Sequence, residues 1–328
     1  MKTITLAHGG GGEEMGELLA LIFSHFDNAI LKEANDSALL TIPARELSLT
    51  TDSFTLSPIF LDETTNIGKL AIAGTVNDTL MVGAKPEFLS LAFIIEEGFL
   101  WADFEKILKS IKDEAKFAGV KIVCGDTKVV PKGSADGLFI NTTALGRLIK
   151  PCRTQNLKAG QKILLSGDVG RHGAAVLVRR NGLEADIKSD CKSLSEEVLS
   201  LLNSKLSVVA MRDATRGGLS AVLNEWATQS GLELCVREEA IAVRDEVAGV
   251  CELFGFEPYE LACEGTFVLA VEEEDAVAAL EILRRFNPSA ALIGELGAEK
   301  KARVILENAY GARRFLELPK GELLPRIC

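Results

Sequence analysis

The feature that most constrains the fold is an apolar run of small residues that begins after Asn66. It reads Ile67-Gly68-Lys69-Leu70-Ala71-Ile72-Ala73-Gly74-Thr75-Val76-Asn77-Asp78. Glycine and alanine let a neighbouring element approach the backbone closely, so the run predicts a tightly packed helix. Such a helix would bury Asn77 and Asp78. Buried polar groups need partners, which leaves two interpretations: hydrogen bonds within the core, or contact with a metal ion or a nucleotide.

The length of 328 residues predicts two domains, and 47% hydrophobic with 25% charged residues is typical of a globular chain. The net charge of −11 argues against nucleic acid and anionic membrane surfaces as partners. The first apolar run stops at His8, which does not fit a signal peptide, and no segment is apolar for the length of a membrane span. The 7 cysteines include no Cys-x-x-Cys pair, so we expect reduced thiols and a cytoplasmic protein.

The pattern of apolar residues predicts a series of strands and helices in each half. In the first half we expect strands at 2–7, 37–42, 47–51, 88–95, 120–124 and 137–148, and helices after Gly12, at 66–84 and at 101–117. In the second half we expect strands at 161–166, 232–236, 266–271, 290–296, 303–307 and 313–318, and helices at 174–178, 195–210, 247–254 and 274–286.

A glycine run lies between the first predicted strand and the first predicted helix. It consists of Gly9, Gly10, Gly11 and Gly12. Glycine-rich loops before a helix start can cradle a phosphate group, but the lysine and hydroxyl of a P-loop are missing here. A flexible linker is an equally good interpretation of these four residues.

Four aspartates lie near the ends of predicted elements in the first half: Asp36, Asp52, Asp78 and Asp126. Carboxylate oxygens suit Mg²⁺, which carries nucleotide phosphates, so together they predict a magnesium–nucleotide site. Asp126 and Lys128 come just past the predicted strand 120–124, a frequent catalytic position in α/β sheets. A turn with solvated charges is the alternative.

The second half adds an anion site and a candidate base. Thr215, Gly217 and Gly218 precede a predicted helix and sit beside two arginines, which suits an anion. Glu264 precedes an apolar strand, where burial would raise its pKa and make it a proton acceptor; the alternative is a glutamate that faces water. The sequence ends in Pro325-Arg326-Ile327-Cys328, which predicts a short mobile arm with a thiol at its tip.

Taken together, these motifs resemble the HypE family of hydrogenase maturation proteins. The resemblance rests on Asn77-Asp78, Gly125-Asp126-Thr127-Lys128, Asp213-Ala214-Thr215-Arg216-Gly217-Gly218, Glu264-Gly265-Thr266 and the final Pro-Arg-Ile-Cys. It runs from end to end, and the final four residues are its most specific part. The family belongs to the superfamily of aminoimidazole ribonucleotide synthetase, selenophosphate synthetase and thiamine-monophosphate kinase.

The resemblance implies an ATP-dependent carbamoyl dehydratase. A carbamoyl group placed on Cys328 would be dehydrated to a thiocyanate, which supplies cyanide to the iron of a [NiFe] hydrogenase. The implied roles are catalysis by Cys328, Glu264 as base and Lys128. ATP binding falls to the glycine run, Asn77 and the Thr215 loop, and binding of both Mg²⁺ and ATP to the four aspartates named above.

The resemblance also implies an α+β fold of two mixed-sheet domains and a flexible tail. The expected divisions are residues 1–150 for ATP binding and dimerisation, 151–318 for the second domain and 319–328 for the tail. The implied partners are a second copy of the chain, the carbamoyltransferase HypF and a HypC–HypD scaffold. The chain differs from the family around Asp62 and Glu63, where a glycine-containing turn is common.

Two other functions stay open at this point. One is phosphoryl transfer to a small molecule, as in other members of the superfamily. Selenophosphate synthetase fits poorly because its reactive residue lies in an N-terminal loop, whereas the first cysteine here is Cys124. The other is a carrier without catalytic activity that presents the Cys328 thiol to its partners.

Overall fold

The structure is a computed structural model that describes residues 2–9, 13–26, 28, 30, 40, 42, 46–319 and 327–328. Each half of the chain is built on one sheet, four-stranded in the first half and seven-stranded in the second. Helices pack against both sheets, which confirms the predicted α+β class. No helix in these ranges is long and apolar enough to cross a membrane.

The first sheet has the strand order β1-β4-β2-β3, with β2 and β3 parallel and the other pairs antiparallel. Its elements are α1 (Glu13–His25), β1 (Leu47–Phe54), α2 (Ile67–Met81), β2 (Ala84–Glu96), α3 (Trp101–Ala118), β3 (Lys121–Val130) and β4 (Leu138–Leu148).

Helix α2 is the buried centre of this half, as the run of small residues predicted. Asn66 caps it, because its side-chain oxygen accepts hydrogen bonds from the amides of Gly68 and Lys69 at 2.9 and 3.3 Å. Nearly all of its side chains are buried, on every side of the helix. Gly68 lies directly against α3, and Gly74 lies against Phe54 of β1. A side chain at either position would push these elements apart.

Within the described residues, the opposite face of the first sheet is left largely uncovered, and Leu40 borders it. Leu49 on β1 is 73% exposed and Ile94 on β2 is 42% exposed. Asp126 and Lys128 are exposed on β3. An apolar sheet face of this kind is typical of an interaction surface.

The second sheet has the order β11-β10-β7-β9-β5-β8-β6. Its strands and helices are β5 (Lys162–Leu165), α4 (Arg171–Arg180), α5 (Ser195–Leu202), β6 (Val208–Asp213), α6 (Gly218–Ser230), β7 (Glu233–Arg237), α7 (Asp245–Phe254), β8 (Phe267–Val271), α8 (Ala276–Arg284), β9 (Ala291–Leu296), β10 (Arg303–Glu307) and β11 (Arg313–Phe315). Strand β4 ends at Leu148 and β5 begins at Lys162, so residue 150 lies in the connection between the two sheets. The division of the chain into two domains at this residue remains a proposal.

Three predicted elements differ from the structure. Residues 2–7 form a single bridge from Thr3 to Leu100 and a 3-10 turn at Leu6–Gly9 instead of a strand. The predicted helix 195–210 ends at Leu202, and the chain then pairs with β8 as β6. The spacing of apolar residues does not show whether such a segment forms a strand, because a strand forms only where a neighbouring strand pairs with it.

The third difference concerns the strand predicted at 120–124, which continues through Val130 as β3. Gly125 does not end it: a Cβ there would lie 2.1 Å from the carbonyl oxygen of Leu91. The glycine therefore allows close strand pairing instead of a turn. Asp126 and Lys128 lie inside the strand as a result. The predicted strand 37–42 and Gly10, Gly11 and Gly12 lie outside the described residues, apart from residues 40 and 42.

The close packing of α2 on α3 can be tested with Gly68→Ala. The added Cβ would lie 2.8 Å from both the backbone oxygen and a methyl group of Ile107. We expect the free energy of unfolding to fall by about 1–3 kcal/mol. Gly16→Ala in α1 is the matched control, since nothing lies within 4 Å of its Cβ position, and it should stabilise by about 0.5–1 kcal/mol. Urea unfolding measures both, and equal effects would contradict the packing described.

Candidate active site

A cavity of about 1110 Å³ lies between the two halves of the chain. β1 and α2 supply one wall, and β6 with the segments before α6 and β8 supplies the other. Its ionisable and polar lining residues include Thr50, Asp52, Asp78, Arg212, Asp213, Thr215, Arg216, Glu264 and Cys328. These nine residues include a thiol, four carboxylates and two arginines, and Glu46, Cys152, Arg153 and Glu225 also line the cavity.

Asp52 and Asp78 face each other from β1 and α2. Thr50, two residues before Asp52 on the same strand face, donates its hydroxyl to Asp78 Oδ2 at 3.0 Å. The pKa of Asp78 is raised to about 7 by burial, by the charge of Asp213 and by that of Asp52. The pKa of Asp213 is raised to about 6, mainly by burial, against the opposing effect of Arg212. Carboxylates with raised pKa values crowded in one cleft indicate a functional site.

Glu264 is held in the cavity by a second aspartate. The buried carboxylate of Asp190 accepts the backbone N–H groups of Glu264 and Gly265 at 3.1 and 3.0 Å. Gly265 permits this approach, since a Cβ there would lie 2.0 Å from the backbone oxygen of Asp190. Glu264 is only 3% exposed. Burial, then the charges of Asp213 and Asp190, raise its pKa well above the usual range.

The final two residues are docked at this cavity. Ile327 is buried in the core that both halves share. The backbone oxygen of Cys328 accepts hydrogen bonds from the Thr55 amide at 2.9 Å and the Thr55 hydroxyl at 3.3 Å. Burial and the charge of Glu264 raise the pKa of the Cys328 thiol to about 11, although Arg216 acts in the opposite direction. The docked thiol is thus protonated near neutral pH. The last two residues of the arm that the sequence predicted to be mobile are therefore docked at the cavity.

The loop before α6 is shaped by two glycines in left-handed conformations. Gly217 and Gly218 have φ angles of 74° and 60°. A Cβ on Gly218 would lie 2.5 Å from the backbone oxygen of Tyr259. This tight turn brings Thr215 and Arg216 to the cavity wall, whereas the two glycines themselves do not line the cavity.

Asp126 and Lys128 are not at this cavity within one chain. They lie on the exposed face of β3, at the opposite edge of the sheet from β1. Asp126 instead borders a separate cavity of about 460 Å³ on the uncovered face, with Leu91, Cys124 and Leu145 among its neighbours. The structure therefore separates these two residues from Asp52 and Asp78.

The other predicted site residues have different positions. Asn77 is buried, and its amide donates to the Lys192 oxygen at 3.1 Å and accepts from the Leu194 amide at 2.8 Å. Of the two interpretations of Asn77 that the sequence left open, these contacts match hydrogen bonding within the core. Gly9 lies in the 3-10 turn and does not line the large cavity. Asp36, like Gly10, Gly11 and Gly12, lies outside the described residues.

Comparison with known proteins decides the family. The model of the AIR synthase related protein N-terminal domain matches residues 34–148, and that of the C-terminal domain matches residues 158–307. The carbamoyl dehydratase HypE of Rhizobium leguminosarum bv. viciae is 41% identical over 99% of this chain and 95% of its own length. That of Escherichia coli is 41% identical over 100% of both chains.

The chain belongs to the HypE family of carbamoyl dehydratases.

Solved structures agree with this assignment. A HypE crystal structure in complex with ATP superposes with a TM-score of 0.95 at 41% identity, covering 99% of this chain and 100% of that one. A HypE–HypF complex matches with a TM-score of 0.81 at 42% identity, over 94% of this chain and 100% of that chain. Thiamine monophosphate kinase from Aquifex aeolicus, at 18% identity, TM-score 0.62 and coverage of 92% and 99%, shares the fold.

Sequence reasoning missed several residues that line or support this cavity. Asp213 was not selected because the helix predicted over 195–210 concealed strand β6, which carries it. Asp190 and His172 carried no local signal, since their partners are distant in sequence. Asp62, part of the departure from the family, caps its own turn through the Thr64 and Thr65 amides and also accepts the Ser189 amide at 3.2 Å. An acidic residue there thus links the two halves.

The donor set of the cavity fits a magnesium–nucleotide site in part. Asp52 and Asp78 offer two carboxylates, and Mg²⁺ is commonly bound by one or two carboxylates together with substrate phosphates. Within the described ranges, no three His, Cys, Asp or Glu side chains are grouped so that they could hold a metal alone. The crowded negative charge that raises the pKa of Asp78 is the charge that a cation would offset.

The raised pKa of Asp78 predicts how stability varies with pH. The pKa of Asp78 is about 7 in the folded chain, against 3.8 for an ordinary aspartate. Its contribution to folding stability is therefore complete below pH 4 and is lost as pH rises through 7. Asp78→Asn should therefore raise the thermal midpoint at pH 8, where the free energy of unfolding should rise by on the order of 2–4 kcal/mol. At pH 4 the midpoint should be nearly unchanged. Asp186→Asn, an exposed site, is the control. Equal effects of Asp78→Asn at both pH values would refute the assignment.

Proposed function

We propose that this chain dehydrates a carbamoyl group carried on its own Cys328 to a thiocyanate, with consumption of ATP, and so supplies cyanide ligands for the iron of a [NiFe] hydrogenase. One observation carries the proposal: Cys328 and the buried Glu264 line the same cavity as Asp52 and Asp78. The substrate group, a base and the phosphate-binding carboxylates would then share one enclosed space.

The chemistry requires removal of an oxygen that is a poor leaving group. ATP, when bound, supplies a γ-phosphoryl group to the carbamoyl oxygen, and the balance is R–S–CO–NH₂ + ATP → R–S–CN + ADP + phosphate. The two N–H protons must leave as the nitrile forms. Glu264 is positioned to accept them, and its environment makes its carboxylate a strong base once it is ionised.

The surroundings of Glu264 explain how one residue can be both protonated at rest and basic during turnover. Burial favours its protonated form most, and the charges of Asp213, Asp190, Asp52 and Asp78 add to that effect. A cation in the cavity would offset the charge part of the effect and shift Glu264 towards its ionised form. Burial of the Glu264 side chain keeps bulk water away from the base.

We assign the nucleotide site to residues of both halves. Asp52 and Asp78 would hold Mg²⁺, joined by Asp36 and Asp126 as the family resemblance implies. Thr215 and the amides at the start of α6, with Gly217 and Gly218, would bind phosphate oxygens. The glycine run and Asn77 remain assigned to the same site by resemblance, Asn77 acting through the core contacts described above.

A homodimer accounts for the separation of Asp126 and Lys128 from the large cavity. That cavity extends around the β1 edge to Leu47 and Leu49 on the uncovered sheet face. A second copy seated on this face would border the cavity. We propose that Asp126 and Lys128 serve the active site of the other subunit, with Lys128 orienting the reacting group.

Partners follow from the same chemistry. A relative forms the HypE–HypF complex, and we propose HypF as the carbamoyl donor for Cys328. We propose a HypC–HypD scaffold as the acceptor of cyanide and the cytoplasm as the compartment, where the thiol stays reduced. The net charge of −11 argues against nucleic acid and an anionic membrane surface as partners.

Intact-mass analysis of Glu264→Gln tests the proposal. The chain is carbamoylated by its donor system and then given magnesium-ATP, and its mass is followed. In the wild type we expect the Cys328 adduct to lose one water only with ATP. Glu264→Gln should bind ATP but lose water at least about a hundredfold more slowly, the usual contribution of a general base.

Glu260→Gln is the matched control, because Glu260 is a half-buried glutamate whose pKa is also raised mainly by burial but which does not line the cavity. It should dehydrate at the wild-type rate. A wild-type adduct that never loses water would leave a carrier without catalysis. No adduct on Cys328 would favour a small-molecule phosphotransferase.

Subunit mixing tests the shared site. Lys128→Ala and Glu264→Gln chains, each inactive alone, should recover about a quarter of the wild-type activity when mixed, because half of the dimers are mixed and each holds one intact site. Glu264→Gln mixed with Asp78→Asn should recover nothing, since both residues line the same chain's cavity. Recovery in the second mixture, or none in the first, would contradict the arrangement.

A further inference from the structure

His172 contacts the end of the chain and has no role in the function proposed above. It lies in the first turn of α4, is fully buried, and its Nε2 is 2.8 Å from the backbone oxygen of Ile327. Its Nδ1 is 2.8 Å from the Ser189 hydroxyl. The imidazole thus lies between a fixed segment of the second half and the residue that precedes Cys328.

The hydrogen-bond partners determine which tautomer this histidine adopts. The Ile327 oxygen can only accept, so Nε2 must carry a hydrogen. Burial lowers the pKa of His172, against the opposing effect of the bond to Ile327, and the ring is therefore neutral. Nδ1 then accepts from the Ser189 hydroxyl. That hydroxyl oxygen in turn accepts the Cys191 amide at 3.0 Å, which fixes its orientation.

The residues that support His172 form hydrogen bonds in both halves of the chain. The Ser189 amide donates to Asp62 in the first half, and the neighbouring Asp190 carries the Glu264 loop. On the other side, the backbone oxygen of Cys328 is held by Thr55. Consecutive backbone oxygens at the chain end are thus held from opposite sides, by His172 from the second half and by Thr55 from the first.

We propose that His172 is a positioning residue for the dehydration reaction. Its Nε2–H, oriented by Ser189, donates a hydrogen bond to the Ile327 carbonyl and so holds the Cys328 thiol group in the cavity. The inference rests on the proposed function for its catalytic consequence. The docking itself does not depend on that function and can be measured separately.

Thiol reactivity of the unmodified protein measures docking directly. The docked thiol is partly buried and its pKa is raised, so a maleimide or iodoacetamide reacts with it more slowly than with the thiol of an undocked chain end. In His172→Leu, loss of one hydrogen bond should raise the alkylation rate of Cys328 about fivefold. The rate is read on the fragment released by cleavage after Glu322, which separates Cys328 from the other cysteines.

Two variants and a control define the cause. His172→Gln can place an amide N–H near the position of Nε2 and should return the rate most of the way to wild type. Ser189→Ala removes the group that orients the ring and should give a smaller increase. His25→Leu, the same change at a half-buried histidine of α1, should have no effect. A folded His172→Leu chain with wild-type reactivity overturns the proposal.

A spectroscopic test does not depend on any core substitution. The chain contains only 3 histidines, so selective ¹⁵N labelling gives three ring systems in long-range spectra. The His172 ring should show the Nε2–H tautomer, and its signals should shift in a chain that ends at Arg326, while those of His8 and His25 stay in place. Unchanged His172 signals refute the contact.

The catalytic consequence is read from single turnovers of the carbamoylated chain. His172→Leu should slow the loss of water about as much as it loosens docking, and His172→Gln should restore it. If the wild type never loses water but His172→Leu still exposes Cys328, the proposed function fails and the docking role stands. If dehydration is intact in both chains, His172 has no positioning role.

Discussion

The structure depends on a short buried segment, residues 189–194, that forms neither helix nor strand. All of these residues but Lys192 are buried. Buried backbone groups must be hydrogen-bonded. Apart from the Lys192 amide, which donates to the backbone oxygen of Glu264 at 3.3 Å, several groups of this segment find their partners in side chains. Asn77 binds the Lys192 oxygen and the Leu194 amide, Glu114 accepts the Ser193 amide at 2.6 Å, and Asp62 accepts the Ser189 amide. All three side chains belong to the first half, so this segment fixes the two halves together.

The same segment builds the active site from its other side. Asp190 holds the loop of Glu264, and Ser189 orients His172. The arrangement places Asp190 close enough to raise the pKa of Glu264, so one carboxylate both positions the base and tunes it. Crowding Asp52, Asp78, Asp213 and Glu264 destabilises the cavity while it holds no cation. Such a cluster is understandable where a cation and a nucleotide complete the site, since stability is commonly given up at functional sites.

The sequence predicted the elements that have a local signal and failed where the signal was distant. Helix α2 was predicted because small residues show close packing directly. Asp52, Asp78 and Glu264 were selected because each lies at a recognisable position beside an apolar run. Asp190 could not be found, because its partner lies 74 residues away at Glu264. Asp126 was placed at a strand end only because Gly125 was interpreted as a turn, when pairing with β2 was what required the glycine.

The contacts of Ile327 and Cys328 also indicate how strongly the end of the chain is docked in the cavity. Burial of the Ile327 side chain is worth about 2–3 kcal/mol, and hydrogen bonds to two backbone oxygens add about 1 kcal/mol each. Ordering two residues opposes this with about 3 kcal/mol. The balance of about 1–2 kcal/mol favours docking by roughly tenfold. A thiol held this weakly occupies the cavity most of the time and can still leave it, and tethering to the chain keeps it at high local concentration for return.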